Sequence, residues 1–321
     1  MSSPTDAEST STTAAAGTDV AAVVYNPIKV NLDAIKRVVA AAEAEAGWGE
    51  TLWFETSKED PGQGAARKAL DAGVTMVIAA GGDGTVRGVG SATRAHGLPF
   101  AIVPIGTANL LARNLGLPLL DAEAAVRIAF TGKTKRIDLG VLDYRLEDGT
   151  EASREYLVMA GFGIDADMVA GTDKRLKRSI GWVAYVGPIV WAMRPRRGVP
   201  LALSIDGGPA LEQQLHSVFL GNCGIITAGI RLLPDALMDD GLLDVLTIRN
   251  VASWVKRRSL RGYAVDAPGG SRRREFSYTT ARTVELEMGL PAQFQADGDP
   301  IGRVTWARAS ILPLALAVRV P

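Results

Sequence analysis

The run Val74-Thr75-Met76-Val77-Ile78-Ala79-Ala80 passes directly into Gly81-Gly82-Asp83-Gly84-Thr85 and then into helical spacing that ends near His96. A short apolar run bounded by glycines reads as a strand buried on both faces. Glycines between such a strand and a helix put the corner at the carboxyl edge of an open α/β sheet, where ligands bind. There the absence of side chains lets backbone N–H groups approach a phosphate, and the helix N-terminus adds partial positive charge. The corner is not the Walker A pattern, since no Gly-Lys-Ser/Thr follows, nor is it the GxGxxG dinucleotide fingerprint. The plain alternative is a tight turn with Thr85 capping the helix and Asp83 solvated.

The flanking sequence repeats the same alternation. VAAVVYNP from Val20 reads as a strand ended by Asn26-Pro27, followed by a helix from about Asn31 to Ala46. A turn at Asp60-Pro61-Gly62 precedes helical spacing over 65–71, and PFAIVPIG forms a further strand after the glycine corner. Strands alternating with helices predict parallel βαβ units, hence a doubly wound α/β domain over 19–137. A second loop, Pro104-Ile105-Gly106-Thr107-Ala108-Asn109, would lie beside the first at the same sheet edge. From Asp138 the texture changes to strand-like runs such as YLVMAGFGI, LALSID, SVFLGNCG, LLDVLTI, TVELEM and AQFQADGD, with a helical interruption near 172–195. These predict a β-sandwich-like, β-rich domain over 138–310; ILPLALAVRVP is another strand candidate, and 311–321 is open to returning to the first domain.

Composition removes several chemistries. The one cysteine, Cys223, has no partner for an internal disulfide and fits no zinc spacing, which points to a reducing, cytoplasmic setting. Only His96 and His216 are available, so carboxylates must carry acid–base work. Residues 1–18 are small and polar without Lys or Arg, and are expected to be a disordered tail rather than a leader. No apolar run approaches the roughly 20 residues that cross a bilayer. The formal charge is zero overall, yet residues 174–274 hold 16 Lys and Arg against 7 Asp and Glu, leaving this stretch at +9 and the rest at −9. With KRLKR at 174–178, the apolar run IGWVAYVGPIVWAM and Arg194-Pro195-Arg196-Arg197, that asymmetry suits an anionic membrane surface rather than nucleic acid. A helix packed on the second domain with solvated charged ends explains the same segment.

With YNP at 25–27, GGDGTV at 81–86, PIGTANLLARNLGLP at 104–118, GFGIDADMV at 161–169, LLPDALMDDGLLDV at 232–245 and QADGDP at 295–300, the chain resembles the diacylglycerol kinase catalytic-domain family. That family includes bacterial lipid kinases and the sphingosine and ceramide kinases, and the likeness covers nearly everything after the tail. The resemblance implies a Mg²⁺-dependent kinase that transfers the γ-phosphoryl of ATP to a lipid hydroxyl. It implies ATP contacts from Asn26, Thr56, Gly81, Gly82, Asp83, Gly84, Thr85, Val86, Arg87 and Thr107. It places Mg²⁺ on the Asp240 carboxylate and the main-chain carbonyls of Leu237 and Leu242, hard oxygen donors that suit the ion. The family's base is the last acid of a DGE motif, which falls here on Asp299, with Asp83 as the other catalytic carboxylate. Asp-Gly-Asp and Asp-Asp-Gly are equally ordinary turns.

Three departures from the family stand out: Asp299 is one methylene shorter than Glu, Leu110 stands where many members have Asp, and Arg87-Gly88 replaces a common Asn-Glu. The absence of an acid at 110 and the shortened acid at 299 motivate one alternative, a catalytically silent lipid or nucleotide sensor. An NAD kinase, which shares GGDGT, is another. The sequence leaves open which lipid is used and whether the chain forms a homodimer.

Overall fold

The computed structural model describes residues 19–163, 198–226, 231–249 and 276–321. In the first part β1 (Ala21–Tyr25), α1 (Leu32–Ala46), β2 (Leu52–Glu55), α2 (Gln63–Asp71), β3 (Met76–Gly81), α3 (Asp83–Arg94), β4 (Pro99–Pro104), α4 (Leu110–Asn114) and α5 (Ala122–Thr131) follow in order. The strands lie β2-β1-β3-β4 and all pair in parallel. Side chains alternate between faces along a strand, and both faces are covered. Ala22, Val24, Val77 and Ala79 pack with residues of α2 and α3, while Ala21, Val23, Met76 and Ile78 pack with those of α1 and α5. This is the doubly wound arrangement.

Local chemistry fixes the helix ends. The Asn31 side chain accepts the Ala34 N–H at 3.2 Å, and Gly47 closes α1 in the left-handed conformation at φ 73°. At α2 the Asp60 carboxylate takes the N–H groups of Gly62, Gly64 and Ala65. The four-residue β2, an exposed edge strand, has no apolar alternation and leaves no legible trace in the sequence.

The rest is antiparallel: β5 (Lys133–Leu146), β6 (Glu151–Tyr156), β7 (Met159–Phe162), β8 (Val199–Ile205), β9 (Leu211–Leu215), β10 (Ser217–Gly221), β11 (Leu243–Ile248), β12 (Phe276–Ala281), β13 (Thr283–Ala296) and β14 (Asp299–Val320). YLVMAGFGI is not one strand, because the amides of 157–159 turn away to a buried carboxylate described below. Conversely, TVELEM and the AQFQA of AQFQADGD are one strand, β13, whose register shifts between Glu287 and Ala292 around Gly289-Leu290-Pro291. ILPLALAVRVP is the end of the 22-residue β14, which pairs with β13 and β5 and then, through Ala317 and Val318, lies parallel to β4. Thus β14 carries one continuous sheet from the β-rich part into the wound part.

Among the described residues no helix is long and apolar enough to cross a membrane. The tail 1–18, the helical interruption near 172–195 and the basic clusters at 174–178, 194–197, 256–258 and 272–274 lie outside the described residues.

Candidate active site

Two glycine corners meet at the carboxyl edge of the wound sheet. Strand β3 ends at Gly81, Gly82 is the cap, and Asp83 is already the first residue of α3, so Thr85 lies inside the helix rather than capping it. Thr85 is buried beneath Gly81, where a Cβ would stand 2.6 Å from its Oγ1. The corner after β4 touches the first one, since a Cβ on Gly106 would lie 2.6 Å from the Gly82 Cα. No side chain fits between them. Asn109, at φ 46°, clasps the second loop by accepting the Gly106 N–H at 2.9 Å and donating to the Gly106 carbonyl at 2.8 Å.

Asp83 locks the corners together. Its Oδ2 accepts the Asn109 N–H at 3.1 Å and its Oδ1 accepts the Leu110 N–H at 2.6 Å, which satisfies the first amides of α4 from a distance. Burial pushes this carboxyl above its ordinary range, against the opposing pull of those amides and of Arg87. Leu110 packs its side chain into the core, and its backbone serves Asp83. Val86 is buried as well, and Gly84 faces Pro61.

The remaining candidates for nucleotide contact surround these corners. The Asn26 N–H bonds the Ala80 carbonyl at 3.2 Å, placing the Asn-Pro corner beside the end of β3. Thr56, buried, bonds the Tyr25 carbonyl through its N–H at 2.9 Å, and Thr107 is exposed on the second loop. Sequence reasoning missed Lys29. Its Nζ stands 3.5 Å from where a side chain on Gly82 would begin, so a cation hangs over the cradle. The only sequence signal is a lysine three residues after Asn26.

Asp297 and Gly298 form the two-residue turn between β13 and β14, with φ of 50° and 80°, and Ala296 pairs with Asp299 across it. Positive φ at both residues is the hairpin turn for which Asp-Gly is favoured. Asp297 points inward and is buried. Its carboxylate accepts N–H groups from Leu157 at 2.9 Å, Val158 at 2.9 Å and Met159 at 3.2 Å, with Arg87 3.8 Å away. Burial raises this carboxyl too, opposed by Arg87 and the three amides. Asp299 points outward with its side chain half exposed, and its Oδ2 meets Arg87 at 2.5 Å and Arg154 at 3.0 Å. Arg87 is the fifth residue of α3, about 6 Å of helix rise from Asp83. The DGD turn and the glycine corner therefore share one helix end.

The acidic turn carrying Leu237, Asp240 and Leu242 is bound to the sheet through Asp138, a fully buried residue of β5 that the sequence did not flag. Its carboxylate accepts the N–H groups of Gly241 at 2.7 Å and Leu314 at 2.6 Å, and its own N–H bonds the Met238 carbonyl. Asp240 uses Oδ1 to accept the Leu242 N–H at 3.0 Å. Next to the turn, Asp244 is buried; Tyr278 donates to its Oδ1, and among the described residues its Oδ2 has no hydrogen-bond partner. Burial, with the charges of Asp240 and Asp235, pushes the Asp244 carboxyl up to about 6. Among the described residues no three acidic, His or Cys side chains stand together as a ligand set.

A wound sheet whose glycine corners adjoin a carboxylate turn from a β-rich second part suits a two-part phosphotransferase. Residues 21–142 match the model of the diacylglycerol kinase catalytic domain, and 158–320 match that of the YegS C-terminal NAD kinase beta sandwich-like domain. A Pseudomonas aeruginosa protein called "Probable lipid kinase YegS-like" is 32% identical over 293 residues, 89% of each chain. A "Diacylglycerol kinase" of Mycobacterium tuberculosis is 29% identical over 255 residues, 79% of each. A crystal structure of a diacylglycerol kinase from Bacillus anthracis, 19% identical, superposes with a TM-score of 0.71 over 96% of this chain and 99% of that one, a likeness of fold. The chain belongs to the diacylglycerol kinase catalytic-domain family of lipid kinases.

Proposed function

We propose that the chain transfers the γ-phosphoryl of ATP to a hydroxyl of a diacylglycerol or similar lipid. The observation that carries this reading is the 2.5 Å contact between Arg87, on the helix that opens at the glycine corner, and Asp299 of the DGD turn. That contact supports reading Asp299 as a base close to a triphosphate bound at the corner. In the reaction the lipid hydroxyl oxygen bonds to the γ-phosphorus, and the bond to the β,γ-bridging oxygen breaks. ADP leaves with the electron pair, and the hydroxyl proton passes to Asp299. Such transfers depend mainly on alignment and charge neutralisation, so a carboxylate that orients the hydroxyl suffices.

The nucleotide contacts are Gly81, Gly82, Gly84, Thr85, Val86 and Arg87 of the first corner, with Asn26, Thr56 and Thr107 around it and Lys29 as a cation above. Asp83 keeps the two corners in register. Asp240 with the carbonyls of Leu237 and Leu242 would hold Mg²⁺, and the orphan Asp244 Oδ2 beside them fits an acidic pocket that wants a cation. When bound, the ion supplies positive charge that offsets phosphate. The lipid enters from the β-rich side, with the chain peripheral to an anionic inner membrane face.

The test is purified protein with γ-labelled ATP and Mg²⁺ against diacylglycerol, monoacylglycerol, sphingoid base and NAD. Labelled lipid lost on Asp299→Asn is the expected result. Label only in NAD, or ATP binding with no product at all, overturns it.

A further inference from the structure

We propose, building on the reading of Asp299 as the base, that Arg154 together with Arg87 is its positioning residue: two guanidinium groups hold one oxygen and leave the other for the substrate hydroxyl. Both arginines meet Oδ2, at 2.5 and 3.0 Å, and among the described residues Oδ1 accepts no hydrogen bond. They come from different elements. Arg87 rises from α3, whereas Arg154 comes across from β6, where it pairs opposite Leu142 of β5. A half-exposed carboxylate with a single ion pair would sample several rotamers, and such a pair contributes little. Two donors converging on one oxygen from two elements define one rotamer.

The arrangement has a cost that a surface ion pair lacks. The Arg87 side chain is only 12% exposed, its Nη1 is buried without a hydrogen bond, and Arg154 is 27% exposed. Burial and the neighbouring Arg87 charge both push the Arg154 guanidinium down, and the Asp299 charge between them opposes this. Two partly desolvated cations side by side make sense where the carboxylate they flank must be fixed.

The sequence supplies the reason for fixing it. Asp299 is one methylene shorter than the Glu of the family motif, and Arg87 stands at a position where that family commonly has Asn. Arg154 lies between the two matched segments, 21–142 and 158–320, so neither family model assigns it a part. The shorter acid is thus paired with a holder supplied by this chain's own β6.

Arg154 is the residue to vary, because Arg87 also belongs to the nucleotide corner. Arg154→Met and Arg154→Lys are made in the wild type and in Asp299→Glu, and kcat and the KM for ATP are measured with the lipid that the panel identifies. In the wild-type background, Arg154→Met lowers kcat about tenfold or more while the KM for ATP stays within about twofold, and Lys recovers part of the rate. In the Asp299→Glu background the Arg-to-Met ratio falls to about threefold or less, because the longer arm reaches the hydroxyl without being held. Equal ratios in both backgrounds, or a loss confined to the KM for ATP or to thermal stability, overturn the positioning role alone. A wild type that phosphorylates no lipid overturns the proposed reaction, and the positioning role with it.

Discussion

Gly106→Ala tests whether the two glycine corners act as one cradle. The new Cβ would stand 2.6 Å from the Gly82 Cα and 2.6 Å from Asn109 Oδ1. Ordinary carbon contacts need about 3.5–4.0 Å, so the loops must separate by about 1 Å. Neither neighbour is the loose end of a flexible side chain, since one is backbone and the other is tied twice to Gly106 itself. A displacement of that size at a reacting centre costs about 10²-fold in rate, equivalent to about 2.7 kcal/mol of transition-state stabilisation. Overpacking costs about 1–3 kcal/mol of stability, which a chain of this size tolerates. The expected result is a protein that still folds, with kcat/KM for ATP down about 10²-fold and weakened ATP binding by calorimetry. Gly90→Ala, on the same helix as Asp83, is the control: its Cβ meets Phe100 at 3.5 Å, an ordinary contact, and its kinetics should match wild type. A folded Gly106→Ala protein within twofold of wild type in both ATP affinity and kcat would refute the shared cradle.

Lys29→Met removes the cation above Gly82 and should raise the KM for ATP about tenfold with little change in kcat, because a ground-state phosphate contact is uniform binding; an unchanged KM would place Lys29 outside the site. Asp297→Asn keeps an acceptor for Val158 and Met159, which share Oδ1, but turns an NH₂ toward the Leu157 N–H. The lost bond and clashing donor should cost about 2–4 kcal/mol, seen as a Tm lowered by about 4–8 °C, together with loss of activity as the turn carrying Asp299 shifts. Asp244, at about 6 in the fold against 3.8 unfolded, binds its proton more tightly when folded. Its contribution to stability is therefore full below about pH 4 and is lost as pH rises through 6. Mg²⁺ should raise Tm at pH 8 and hardly at pH 5, with the gain abolished by Asp240→Asn; an equal gain at both pH values would detach the ion from this acidic turn.

What the sequence revealed and what it hid have separate physical causes. The wound sheet was legible because β1, β3 and β4 are buried on both faces and so read as continuous apolar runs ended by Asn-Pro, Gly-Gly and Pro-Ile-Gly. Helix α1 was legible as a helix-like stretch from about Asn31, which the structure shows to be its cap. The β-rich part was legible as strands but not as pairings, since register depends on partners far along the chain. Nothing local shows that β13 crosses Gly289-Leu290-Pro291 unbroken, or that β14 runs on to meet β4. Candidate residues tied to motifs could be named in advance. Lys29, Asp138 and Arg154 could not, because each owes its place to a neighbour brought near by folding and sits in no recurring pattern.

Helix α3 joins the two halves of the proposed chemistry. Asp83 and Arg87 are four residues apart and thus share a face of the helix. One reaches the second glycine corner, and the other reaches the DGD hairpin. One turn of α3 therefore sets the spacing between the glycine corners and the proposed base, and Asp297 fixes the other side by gripping three successive amides of the β6–β7 junction. In the proposed reaction, alignment of hydroxyl, γ-phosphate and carboxylate would rest on this backbone geometry. The short acid at 299 is half exposed and rests on two arginine contacts, so those contacts should matter more to rate than to folding.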